Sequence, residues 1–225
     1  FRRVLFRSEG ERHHTHRVVR AVKNRFGAIS ELGVFEMTGS GLAAVANPSQ
    51  LFLSERASGT PGSAVLCCVE GSRPILVEVQ ALVSTSTYGN ARRMAIGVDS
   101  NRLALLLAVL EKRGGLSLAG DDIYVNIAGG MTVDEPAADL AVVAAVASSL
   151  RNRGLHPSTA VFGEVGLSGE VRGIPQVPLR IREAEQMGFT RVILPAANLD
   201  PKGVRSEDTR LNSSHGYISY AVFCL

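Results

Sequence analysis

Apolar and polar positions alternate along this chain with two different periods. His13 to Val22 (HHTHRVVRAV) predicts a strand ending at the turn signal Asn24–Gly27, and Gly33–Met37 and Leu42–Ala46 predict short strands about Gly39–Gly41. After Asn47-Pro48 and the hydrophilic stretch 54–62, the apolar runs Ser63–Val69 and Ile75–Ser84 flank Gly71–Pro74 and predict a hairpin. From Asp99 to Arg113 the period becomes helical. Leu103, Leu106, Leu107 and Leu110 recur at i, i+3, i+4 and i+7, Asp99 or Ser100 can cap the free N–H groups, and Lys112 and Arg113 complement the dipole before Gly114-Gly115. Asp122–Ala128 alternates as a strand. A second helix is expected from Pro136, with Asp134 as its cap and an alanine-rich face that permits close packing. Val161–Val171 predicts a hairpin around Leu167-Ser168-Gly169, followed by a helix from about Gln176 to Met187 and a strand at Arg191–Pro195. From Ser63 the order is therefore β-β-β-α-β-α-β-β-α-β, an α/β or α+β sandwich.

The 225 residues are 45% hydrophobic and 20% charged, with mean hydropathy +0.14, enough apolar content to bury a core and exclude wholesale disorder. No apolar run is long enough to span a membrane, and FRRVLFRSEG lacks the features of a secretory signal, so a cytoplasmic location is expected. The three cysteines, Cys67, Cys68 and Cys224, form neither a disulfide framework nor a CxxC metal site. A net charge of +3 and a pI near 9.0 suggest nucleic acid, but the surplus is local. Arg2, Arg3 and Arg7 fall within the first eight residues, which hold no acid; the remainder is neutral. Residues 1–8 and 204–225 resemble peptides translated from sequencing-adapter DNA, and the last 22 residues show no period that would fit the preceding fold. Both stretches are read as non-native tails, and a domain boundary is placed near Thr60.

Three sets of residues could carry chemistry. In Lys23-Asn24-Arg25-Phe26-Gly27, at a strand end, Lys23 and Arg25 share one face and Gly27 allows a sharp turn, which suits an anion with several oxygens such as a phosphate. Gly129-Gly130, ahead of a helix start, could form an anion or oxyanion site. The basic residues Arg92-Arg93, Lys112-Arg113, Arg151, Arg153 and Arg172 suit sequence-independent contact with phosphates; there is no aromatic stripe for base stacking. His13, His14 and His16 have no further ligand nearby and read as a surface strand, so no metal is expected. Glu164 and Glu170 are placed to salt-bridge Arg172.

RVVRAVKNRFGA, GVFEMTGSGLAAVANPSQLFLSER, EGSRPILVEVQALV, ARRMAIGVDSNRLALLLAVLEKR, EPAADLAVVAAVASS and FGEVGLSGEVR, in this order and spacing, resemble the C-terminal half of the bacterial RadA (Sms) family. The resemblance runs from about Glu9 to Lys202. It implies the end of a RecA-like ATPase core at 9–60, followed at 61–203 by a Lon-protease-like domain related to ribosomal protein S5 domain 2. It further implies that KNRFG acts in trans on the nucleotide or DNA of a neighbouring subunit in a ring, a hexamer, and that Arg92 and Arg93 line a DNA channel. The intact parent would be an ATP-driven DNA helicase promoting branch migration in repair and recombination, with ATP and Mg2+ as cofactors and DNA and the RecA recombinase as partners. Neither a GxxxxGK[ST] phosphate loop nor a four-cysteine zinc finger occurs here, so these residues alone are not expected to hydrolyse ATP.

In Lon proteases a serine in a DGPSAG-like phrase is the nucleophile and a lysine of a later helix is its base. The resemblance places Ala137 and Pro178 at those positions, and neither side chain can serve. A Ser-Lys peptidase is disfavoured accordingly. Ser148 and Ser149, the nearest hydroxyls, are expected to be packing residues, and a purely structural oligomerisation domain is the remaining rival.

Overall fold

The computed structural model describes residues 5–9, 16–23, 32–86, 89, 91–199 and 219–222. Two main sheets organise them. Strands β1 (Leu5–Glu9), β2 (His16–Lys23), β3 (Leu32–Thr38) and β4 (Gly41–Ala44) form an antiparallel meander in the order β1-β2-β3-β4. β2, β3 and β4 fall where alternation predicts them, with Val18 and Val34 buried as cross-strand neighbours. β1 falls mostly in the stretch read as a tail and pairs with β2 from Leu5↔Lys23 to Glu9↔Val18.

The larger sheet has seven strands. They are β5 (Ser63–Glu70), β6 (Arg73–Thr85), β7 (Arg93–Ile96), β8 (Asp121–Ile127), β9 (Thr159–Val161), β12 (Arg191–Leu194) and β13 (Ser219–Val222). Their order is β13-β12-β9-β5-β6-β8-β7, with β5, β6 and β8 antiparallel to their neighbours in turn and β7, β9, β12 and β13 joined in parallel. Between β9 and β12, the hairpin β10 (Glu164–Val165) and β11 (Val171–Arg172) forms a separate two-stranded sheet. β5 is buried at six consecutive positions from Ser63, which requires cover on both faces of the sheet. Two helix pairs supply it: α1 (Pro48–Leu53) with α4 (Val177–Gln186), and α2 (Ser100–Lys112) with α3 (Asp139–Leu150).

Four expectations change. First, α1 stands in a region where no element is predicted. Asn47 caps it, Oδ1 accepting from the Gln50 N–H at 3.1 Å, Pro48 opens its first turn, and Phe52 is buried. The hydrophilic stretch behind it is also anchored, since the Arg56 guanidinium lies 4.0 Å from the buried Glu78 and donates to the Pro157 carbonyl at 3.0 Å. Burial pushes the Arg56 pKa down, and the Glu78 charge opposes that shift. Residues 47–60 thus pack on the seven-stranded sheet although they precede the expected boundary near Thr60.

Second, Asp134 does not cap the alanine-rich helix. Pro136–Ala138 form a 3-10 turn without a side-chain cap, and α3 starts at Asp139, whose carboxylate favours the positive end of the helix dipole. Third, Val161 belongs to β9 in the large sheet, and the hairpin shrinks to β10 and β11. The chain breaks at Phe162-Gly163, whose N–H groups go to the carbonyls of Ile193 and Ala137. Fourth, Ser219–Val222 extends the sheet beside β12 in the register Arg191↔Ser219 to Leu194↔Val222. Tyr220 and Val222 are residue types suited to a pleated edge, so this part of 204–225 does carry a strand that fits the fold.

Candidate functional site

Beside Ala137 and Pro178, the two positions that the resemblance to Lon proteases singles out, the structure holds an ion pair. Ala137 is buried in the 3-10 turn before α3, while Pro178 is exposed in the first turn of α4. Two residues before Ala137 stands Glu135, and two residues after Pro178 stands Arg180. Arg180 is 1% exposed and grips Glu135 with two prongs, Nη1 to Oε1 at 2.8 Å and Nη2 to Oε2 at 2.6 Å. Its other donors reach the carbonyls of Cys67 at 2.6 Å and Pro175 at 3.3 Å, and its guanidinium lies 5.9 Å from the centroid of the Phe162 ring. Glu135 accepts in addition from the Val69 N–H at 2.9 Å. A guanidinium stays protonated and cannot act as a base, and this carboxylate has its oxygens committed. The arrangement ties the entry of α3 to α4 and β5 and offers no nucleophile.

A second pair lies beside it. Asp139, 3% exposed, receives both prongs of Arg102 and the Val165 N–H at 3.0 Å, while Arg102 Nη2 also donates to the Val165 carbonyl at 2.9 Å. The hydrogen bond to Asp139 holds the Arg102 guanidinium above its ordinary pKa, against the effect of burial. The charged residues Glu135, Asp139 and Arg180 flanking Ala137 and Pro178 are the signal in the sequence. What it could not reveal was that the partners, separated by 45 and 37 positions, would meet.

The other hydroxyls and glycines are also committed. Ser148 Oγ accepts from the Gly62 N–H at 3.0 Å and donates to the Arg153 carbonyl at 2.7 Å; Ser149 Oγ accepts from the Val83 N–H at 2.9 Å. Both act as links to backbone, as expected of packing residues. Gly129 and Gly130 adopt positive φ of 81° and 66°, and a Cβ on Gly129 would lie 2.5 Å from the Phe52 ring. The glycine there makes room for Phe52 of α1. Burial raises the Cys67 and Cys68 thiols above their ordinary pKa.

The basic candidates separate. Arg172 pairs with Glu170 at 2.5 Å and with Glu164 at 3.5 Å, so its charge is compensated. Arg92 and Arg93, at the start of the edge strand β7, and Lys112 and Arg113, at the end of α2, are exposed and carry no ion pair among the described residues. Arg92 is fixed through its backbone N–H, which donates to Asp122 Oδ1 at 2.7 Å. On the same edge of the sheet, Leu82, Met94 and Ile96 are 58%, 53% and 52% exposed and line an open depression with Tyr124. Lys23 ends β2, whereas Asn24, Arg25, Phe26 and Gly27 lie outside the described residues, as do His13 and His14. Among the described residues no helix is long and apolar enough to cross a membrane.

Such a mixed sheet, packed against an alanine-rich helix, fits a Lon-protease-like domain, and residues 115–205 match the family described as the Lon protease (S16) C-terminal proteolytic domain. A larger stretch of the chain is similar to the DNA repair protein RadA of Halalkalibacterium halodurans, 56% identical over 191 residues, or 85% of this chain and 42% of that protein. The corresponding protein of Bacillus subtilis is 55% identical over 200 residues, 87% of this chain and 44% of the other. The chain belongs to the RadA family and fits its C-terminal portion. It spans less than half the length of the curated relatives it matches.

Proposed function

We propose that this chain serves DNA repair as the ring-forming, DNA-contacting part of an ATP-driven helicase that promotes branch migration of recombination intermediates in the cytoplasm. The observation that carries this reading is that the residues flanking Ala137 and Pro178 are tied into the pairs Glu135–Arg180 and Asp139–Arg102, which supports a scaffold whose uncompensated cations face outward. Arg92, Arg93, Lys112 and Arg113 are the phosphate contacts. Repeated around a ring, they would make a band of positive charge even though the protomer is nearly neutral. Arg172 contributes less, because two carboxylates hold it. The exposed apolar face of Leu82, Met94 and Ile96 supports ring assembly as the contact between copies, in a hexamer.

ATP and Mg2+ belong to the intact parent. No phosphate loop is present in this sequence to hold them, and the contribution of these residues to hydrolysis is the trans-acting KNRFG element, with Lys23 and Arg25 reaching a neighbour's nucleotide. The RecA recombinase is the proposed protein partner.

The test is fluorescence anisotropy with labelled single-stranded and branched DNA over a salt series, run beside analytical ultracentrifugation. Arg92→Ala/Arg93→Ala should weaken binding uniformly across sequences and flatten the salt dependence by about two phosphate contacts while the assembly stays intact. Unchanged affinity in intact hexamers would instead favour a purely structural domain. Met94→Glu/Ile96→Glu should reduce the assembly to monomers.

A further inference from the structure

The cavity between the C-terminal ends of α2 and α3 has no part in this scheme. It holds about 250 Å³ and is lined by Leu110 and Leu116, by Leu140, Val143 and Ala147 of α3, and by Ile193 of β12. Its lining is apolar except for Ser148, whose hydroxyl is taken up by backbone groups, and where Arg151 and Arg153 reach it. Both arginines are exposed, and neither makes an ion pair among the described residues. Arg151 sits at the end of α3, where the helix dipole accounts for a cation. Arg153 requires a different reason. The chain turns at Asn152 with φ 47°, and the Arg153 backbone is then pinned from both sides, its carbonyl accepting from Ser148 Oγ at 2.7 Å and its N–H donating to the Ser148 carbonyl at 3.0 Å. This turn brings a second guanidinium back to the cavity.

Size and charge together select an occupant. An apolar cavity of about 150 Å³ already admits benzene, so this one takes a phenyl ring or a branched aliphatic side chain. It falls below the roughly 300 Å³ at which pockets for drug-sized ligands begin, which argues against a whole cofactor. Two uncompensated guanidinium groups at an apolar mouth match carboxylates that flank such an anchor. We propose that this cavity docks an acidic peptide segment of a partner protein, one bulky apolar residue entering between Leu110 and Val143 while neighbouring Asp or Glu side chains pair with Arg151 and Arg153.

The probe is a fluorescein-labelled peptide, Asp-Glu-Asp-Phe-Asp-Glu, titrated with the whole chain and followed by anisotropy. Saturable binding is expected, weakened at least about tenfold by replacing the peptide Phe with Ala and by Ala147→Phe, which fills the cavity. Arg151→Ala/Arg153→Ala, at exposed positions that leave the fold intact, should weaken it by a similar factor and remove its salt dependence. No binding up to about 1 mM, or binding indifferent to both protein variants, overturns the proposal. Two further results also overturn it: an assembly mass altered by Ala147→Phe without peptide binding, which would make the cavity a contact between copies, and loss of DNA affinity in the arginine variant without peptide binding, which would assign the guanidiniums to DNA.

Discussion

The guanidinium of Arg180 and the carboxylate of Glu135 meet through two hydrogen bonds of 2.8 and 2.6 Å, with Arg180 sealed from solvent. Glu135 keeps 20% of its side-chain surface exposed, so removing Arg180 leaves a largely covered carboxylate without its partner. Arg180→Ala is therefore expected to cost about 3–5 kcal/mol, read from the midpoint of urea unfolding. Arg180→Lys should recover little, because one ammonium cannot supply both prongs and the Cys67 contact together. Arg180→Ala within about 1 kcal/mol of the parent would mean that the pair is not structural.

Restoring the atoms of a dyad should not restore peptidase activity. A base must lie within hydrogen-bond reach of its nucleophile, yet position 137 is interior and position 178 points to solvent. The Ala137→Ser/Pro178→Lys variant is expected to leave casein intact and to resist labelling by an activated phosphonate. Turnover above the parent's background would show that the centre is still formed.

Gln176 carries backbone strain just before α4. Its φ of 59° lies in the left-handed region, its side chain makes no cap, and the residue is exposed. That conformation costs an ordinary residue roughly 1–2 kcal/mol, and glycine avoids the cost at some loss of chain entropy. Gln176→Gly should raise stability by about 0.5–1 kcal/mol, seen as a higher Tm in calorimetry. A lower Tm would place a stabilising role in the glutamine side chain.

The elements visible in the sequence were those whose signals are local. Leu103, Leu106, Leu107 and Leu110 mark the buried face of α2, and Asp99 caps it with a 2.7 Å bond to the Arg102 N–H, as the pattern predicts. The hairpin of β5 and β6 follows from two apolar runs about a turn. α1 shows no apolar period although Asn47-Pro48 is a good helix start, because only Phe52 and two small residues of its short length are buried. The ion pairs beside Ala137 and Pro178 join residues far apart in sequence, and no periodicity announces them. Arg180 in particular looks like a surface residue of an amphipathic helix until β5 supplies the Cys67 carbonyl beneath it.

The hairpin of β10 and β11 should respond to acid. Hydrogen bonds from backbone N–H groups, its own first, and the Arg172 guanidinium hold the Glu170 carboxyl below its ordinary pKa. A depressed folded-state value contributes stability above the unfolded value, about 4.3, that is lost as pH falls through the folded one. The amide signals of Gly166 and Ser168 should shift on acidification with a midpoint below that of an ordinary glutamate. Glu170→Gln should abolish the transition. A midpoint at the ordinary glutamate value would remove the role of these bonds.

A last expectation concerns where the Lon-like unit begins. Starting the chain at Pro61, near the expected boundary, deletes Phe52 from its place beside Gly129, Ser49 from its bonds to Glu183 at 2.5 Å and to the Leu76 N–H at 3.0 Å, and Arg56 from Glu78. Loss of the Phe52 side chain alone costs about 3–5 kcal/mol in a packed core, and Glu78 is then left buried without its cation. A chain starting at Ala46 keeps all of these contacts. The longer chain should unfold cooperatively in urea with a midpoint well above that of the shorter one, and Phe52→Ala in the longer chain should lower its midpoint by most of the difference. Equal midpoints would put the boundary at Thr60 and reduce α1 to a loosely attached linker.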